Sequence, residues 1–115
     1  MSISKKSELI LKVCSLQNKL LKRLDQSLMV HGISVTEFIV MLHLSNAVNK
    51  NMRRIDLAER VGLSASGVTR LLNPMQKIGL VEKGESTRDA RVSLIKLSSS
   101  GENIFRDAEV TFDQC

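Results

Sequence analysis

Ser66, Arg70, Asn73 and Lys77 follow one another at intervals of four, three and four residues, the spacing that stacks side chains on one face of an α-helix. Each carries an N–H or O–H group that a phosphate oxygen or an acceptor on a base edge can take up. The chemistry of such a ridge is recognition of an acceptor-rich, anionic surface, and a DNA duplex is the surface that suits it. Bond-breaking chemistry finds no comparable set. Gly62-Leu63-Ser64-Ala65-Ser66 resembles a G-x-S-x-G nucleophile elbow but ends in Ser and follows a helix where a strand is required. Neither a P-loop nor a G-x-G-x-x-G run is present. His31 and His43 lack a second His or a carboxylate at ligand spacing, and a zinc site wants three or four ligands. No catalytic residue, metal or cofactor is therefore assigned, and the chain is not expected to be an enzyme.

The ridge needs a helix to carry it. Val68, Leu71, Leu72, Met75 and Ile78 form the opposite, apolar stripe at i, i+3, i+4, i+7 spacing, Ser64 is a good N-cap, and Gly79 a good stop. Upstream, Ile55, Leu57, Ala58 and Val61 sketch a shorter amphipathic helix closed by Gly62, so that Gly62-Leu63-Ser64 joins two helices as a helix-turn-helix. An amphipathic helix alone is a common surface element. The next segments of the chain give it meaning: Leu80–Lys83 and Arg91–Leu97 are rich in β-branched and apolar residues around a polar stretch at 84–89, which predicts a hairpin with an extended tip. A basic hairpin after a helix-turn-helix is a wing.

The rest of the chain frames these pieces. The spacing predicts a long helix from about Lys5 to His31, with Leu9, Val13, Leu16, Leu20 and Leu24 in one apolar stripe and Ile10, Cys14, Leu21 and Leu28 in a second beside it. So broad a sector requires either a core wrapped from two sides or a second subunit. Ser34-Val35-Thr36-Glu37 is a capping box opening a helix that is apolar almost all round and should be the most buried. Polar residues at 46–51 read as a turn, and Met52-Arg53-Arg54 as a short extended lead-in. Ser98 or Ser99 caps a last helix with Ile104, Phe105, Ala108 and Phe112 on one face.

The 115 residues, 43% of them hydrophobic, are enough for one domain with a real core. A net charge of +5 favours an anionic partner. Cys14 and Cys115, near opposite ends, support neither a disulfide framework nor a thiolate metal site. With no signal peptide and no apolar run of the ~18 to 20 residues that spans a bilayer, a cytoplasmic protein without membrane contact is expected.

The segments IDLAERVGLSASGVTRLL, IGLVEKGESTRDARVSLIKL and SSSG, in this order, resemble the MarR family of winged-helix transcription regulators, from roughly Ser34 to Gly101. The most specific part is the wing, where Asp89-Ala90-Arg91 fits the family's D-x-R pattern, followed by Leu97-Ser98 and Gly101 in place of the usual L-T-x-x-G. The resemblance implies a mainly α fold with a small β-hairpin, a winged helix-turn-helix core at 34–97 and dimerisation helices at 5–31 and 99–115. It implies a transcription regulator, normally a repressor, that binds double-stranded, pseudo-palindromic DNA as a homodimer and is relieved by a small-molecule effector or by oxidation.

On this reading the helix from Ala65 to about Ile78 lies in the major groove, with Ser64 at its start and Ser66, Gly67, Thr69, Arg70 and Asn73 nearest bases and phosphates, Lys77 farther along. Arg91 would enter or border the minor groove, held by Asp89, while Arg88 and Lys83 add phosphate contacts. Pro74 departs from the pattern: it removes a backbone bond and implies a bend after Asn73 that bears on Asn73 and Lys77 more than on Ser66 or Arg70. The chain also stops where relatives usually continue into a further helix, as a truncated or unusually short member would, so the dimer is expected to be either weaker or built chiefly on the first helix. Some oxidation-sensing relatives carry a cysteine on that helix, but without any Tyr to bond a thiolate, Cys14 is expected to be a small buried apolar residue. The alternative function is a winged helix used for protein contacts; the absence of Tyr and Trp, the usual hot-spot residues, argues against it.

Overall fold

The computed structural model of the chain describes residues 3–84 and 94–115. The first helix, α1 (Lys5–Leu28), starts where the Ser4 hydroxyl accepts the Ser7 N–H at 3.1 Å, and passes through a tighter turn at Met29–His31 to Gly32. The capping box then opens α2 (Val35–Asn46): Ser34 Oγ accepts the Glu37 N–H at 3.1 Å and Glu37 Oε1 accepts the Ser34 N–H at 2.8 Å. Asp25 of α1 takes the Val35 N–H at 2.7 Å, so a third donor at this helix start is satisfied by the preceding helix. Val35, Phe38, Val40, Met41 and Leu44 of α2 are all buried, as an element apolar on most sides must be.

The polar turn after α2 holds Asn49 and Lys50 at φ of 59° and 57°, a left-handed conformation that Asn tolerates better than most residues. There follow β1 (Asn51–Arg53), α3 (Arg54–Val61), α4 (Ala65–Lys77), β2 (Val81–Lys83), β3 (Leu94–Leu97) and α5 (Ser99–Asp113). The strands form one antiparallel sheet in the order β1-β3-β2, with Met52 opposite Ile95 and Val81 opposite Leu97. Ser98, of the two candidate serines, is the N-cap of α5.

Leu28, Met41, Leu57, Leu72, Met75 and Ile95 are among the fully buried side chains, so every layer of the fold contributes to one core. Phe38 of α2 lies between two rings of α5, 5.3 Å from Phe105 and 4.7 Å from Phe112. His31 Nε2 and Thr111 Oγ1, 2.6 Å apart, add a polar link between the end of the first helical segment and α5.

The outer length of α1 is bare. Leu9, Ile10, Leu11, Val13, Leu16 and Leu20 are all more than half exposed, up to 66% at Leu16. The chain has a radius of gyration of 16.7 Å and is 58 Å long, against about 13 Å for the radius of a compact chain of this length. Of the two ways to satisfy the broad apolar sector, wrapping by the chain's own core is realised only near Leu24 and Leu28. Cys14, expected to be buried, is exposed, because it lies on this uncovered stretch. Among the described residues no single helix is long and apolar enough to cross a membrane; α1 and α2 meet that measure only together, across a 71° bend.

Candidate nucleic-acid interface

The ridge-bearing helix is set in place from both ends and from its back. At the front, α3 stops at Gly62, whose φ of 72° is a conformation that a side chain would resist, and the Leu63 N–H reaches back to the Ala58 carbonyl at 2.9 Å. Two residues on, Ser64 Oγ accepts the Gly67 N–H at 3.0 Å and starts α4. At the far end, the Leu80 N–H bonds to the Met75 carbonyl at 2.8 Å across Gly79. Behind, Val68, Leu72 and Met75 are fully buried, and Leu71 packs at the margin of the core. Ile78, expected in the same stripe, is instead 64% exposed: it is the C-cap residue, past the last turn of α4 that packs on the core.

With that face buried, Ser66, Thr69, Arg70, Asn73 and Lys77 are left exposed, within about 100° of arc at 100° per residue. The helix is one element from Ala65 to Lys77 with Pro74 inside it, and the Ile78 N–H still finds the Pro74 carbonyl at 3.0 Å. Pro74 thus does not terminate the helix before Lys77, although Arg70 loses its usual i+4 donor because proline has no N–H.

Hydrogen bonding fixes what each group has left to offer. The Ser64 oxygen is occupied by the Gly67 N–H and lies 3.2 Å from Ser66 Oγ, so of this pair one proton remains for an outside acceptor. Thr69 Oγ1 donates its proton to the Ala65 carbonyl at 3.1 Å, which leaves its methyl group and acceptor lone pairs, but no donor, for a partner. Gly67 is half-buried at the edge of the ridge; a side chain there would press on Ser64 Oγ and Leu63. Lys83 is exposed on β2, beyond Glu82, which pairs with Lys96 of β3 at 3.7 Å. Arg88, Asp89 and Arg91 lie outside the described residues.

Two arginines that composition alone did not single out belong to the frame. Arg53 forms a two-pronged pair with Asp56, at 2.9 and 3.2 Å, and this hydrogen bond, more than the charge, raises the guanidinium pKa above its ordinary value. Arg54 Nη2 lies 3.4 Å from Gln76 Oε1 and so connects the start of α3 to α4. The available signal was the Arg-Arg doublet before the first helix of the pair. Beside it, a cleft of about 790 Å³ is lined by His43, Arg53, Asp56, Glu59 and Arg60, with charges of both signs. No group of three or more metal-ligating side chains occurs among the described residues.

A short helix, a turn closed by glycine, a second helix with one buried and one donor-rich face, and a small antiparallel sheet behind it define a winged helix-turn-helix. The MarR family model matches residues 31–92, more than half of the chain, and the chain belongs to the MarR family of transcription regulators. It is 28% identical over 100 residues to the transcriptional repressor MprA of Escherichia coli, an alignment covering 86% of this chain and 57% of the repressor. The chain thus spans little more than half the length of that relative. Among solved structures, a mutant MarR from E. coli complexed with operator DNA superposes with a TM-score of 0.84 at 21% identity, covering 97% of this chain and 81% of that one. The organohalide-sensing regulator RdhR, bound to 2,4-dichlorophenol, superposes with a TM-score of 0.87 at 18% identity over 98% and 66%. At these identities the superpositions establish the shared fold.

Proposed function

We propose that the chain is a cytoplasmic transcription regulator, a repressor in its usual action, that binds double-stranded pseudo-palindromic DNA as a homodimer. The observation that carries this reading is the division of α4, whose Val68, Leu72 and Met75 are fully buried while Ser66, Arg70, Asn73 and Lys77 are exposed on the other side. Buried polar groups would have to find partners inside the fold; these face outward with donors available. On this reading α4 enters the major groove, and Arg70 and Asn73 reach base edges, for which guanine (two acceptors) and adenine (one acceptor, one donor) are the matching partners. Ser64, Ser66, Gly67, Lys77 and Lys83 contact the backbone, Thr69 offers its methyl to thymine, and Arg88 and Arg91, the latter ordered by Asp89, act at the wing.

Homodimerisation is supported by the bare stripe of α1, and α5 adds an exposed Val110. Contiguous apolar surface of this kind marks an interaction site. A second copy buries it symmetrically and places two α4 helices on one side of the pair. The fold shared with RdhR, solved with a chlorophenol, and the family's character support a small-molecule effector that loosens this arrangement, and the exposed Cys14 leaves oxidation as a second route to the same end.

Gel shifts against genomic fragments at ~100 mM salt test the proposal, since counterion release at that concentration still leaves real sites nanomolar. Retarded complexes that vanish at high salt are expected. Co-purification with a protein partner and no salt-sensitive DNA binding would instead identify a protein-contact module.

A further inference from the structure

The start of α5 and the stop of α4 meet at one hydroxyl group. Ser98 Oγ accepts the Gly101 N–H at 2.9 Å, which caps α5, and its single proton is directed at the carbonyls of Gly79 and Leu80, the latter at 3.1 Å. The Ser98 N–H also donates to the Leu80 carbonyl at 3.0 Å, continuing the pairing of β2 with β3. Gly101 completes the joint: it is buried, and a Cβ there would collide with the Leu80 carbonyl oxygen, so the first turn of α5 rests directly on the backbone that ends α4. The helix-ending residues Gly79 and Leu80 are in turn bonded back to Gln76 and Met75 at 3.1 and 2.8 Å. An unbroken run of hydrogen bonds therefore leads from the last turn of α4 to the first turn of α5.

We propose that Ser98 is a positioning residue for DNA recognition, fixing the angle between α4 and α5, the second of the two helices assigned to the proposed dimer. The inference rests on the DNA-binding dimer proposed above. Capping alone would be served by any acceptor at this position, because a cap needs only an oxygen facing the Gly101 N–H. The second function needs a proton as well, since Gly79 and Leu80 present only carbonyl oxygens. Serine and threonine supply both. Aspartate supplies the cap, lacks the donor, and sets a negative charge against two carbonyls.

A tilt of α4 relative to α5 changes the separation of two recognition faces in a dimer but not the fit of one face to one half-site. The test compares wild type, Ser98→Thr, Ser98→Asp and Ser98→Ala on two duplexes, a full palindrome selected by the wild type from a random pool and its isolated half-site, with dimer content followed by sedimentation. Ser98→Thr is expected to match wild type on both. Ser98→Asp should remain dimeric, lose at least tenfold in affinity for the palindrome, and stay within twofold of wild type on the half-site. Ser98→Ala, which adds no charge, should show the same split, and it carries the comparison should the aspartate variant fail to fold. Equal losses on both duplexes, or palindrome binding by Ser98→Asp equal to wild type, would overturn the inference and leave the regulator reading intact. If the wild type selects no duplex at all, the regulator reading fails and the inference falls with it.

Discussion

Arg70 and Lys83 are both exposed cations, yet the proposed complex gives them different work. Arg70 stands on the ridge of α4 between Ser66 and Asn73, where a guanidinium can grip a base in two places. Its replacement by Ala should cost about 1–3 kcal/mol on a selected site and much less on random duplex, a gap readable by competition binding. Lys83, proposed as a phosphate contact, would have no sequence to read. Lys83→Ala should weaken both kinds of DNA alike and lower the slope of log K against log salt by about 0.9. Ser64 differs again, because its oxygen is already bonded to the Gly67 N–H. Ser64→Ala is expected to remove about 1 kcal/mol of stability in thermal or urea unfolding before any effect on DNA is considered.

Among the elements, the turn between α3 and α4 is the most exacting. Gly62 has room for a side chain but not the backbone for one, so Gly62→Ala should destabilise the fold by about 1 kcal/mol through its φ of 72° without any steric clash. A urea midpoint unchanged by this substitution would mean that the turn is not built as described. The helices, their caps and this turn were legible in the sequence because period, Ser and Gly signals agree over short distances, as at Ser34–Glu37 and Ser64–Gly67. Less was legible where distant parts meet. Nothing local in Met52-Arg53 tells that it pairs with β3 as a third strand, and nothing local in Ser98 tells that its proton reaches Gly79. Cys14 is exposed although its place in a stripe predicts burial, because a stripe marks a surface that wants cover without saying which molecule supplies it. The ridge of α4 was legible because it lies within one helix, while the joint that orients it depends on contacts between segments well separated along the chain.

For the whole molecule, the bare length of α1 sets the requirement. Leu9 and Leu16 are 63% and 66% exposed, and burying one leucine is worth about 1.5–3 kcal/mol, counted twice in a symmetric pair. Leu16→Glu should therefore weaken the proposed dimer by about 3 kcal/mol or more, roughly a hundredfold in dissociation constant, while leaving helix content and the core around Phe38 unchanged. Sedimentation and circular dichroism check the two halves of this statement separately. The central claim, that two copies present two α4 ridges to one face of a duplex, is tested most directly by letting the wild-type protein select from a random duplex pool. The expected result is enrichment of a pseudo-palindrome whose half-sites lie about 10 base pairs apart, one turn of the double helix. No enrichment, or enrichment of a single unpaired element, would contradict it.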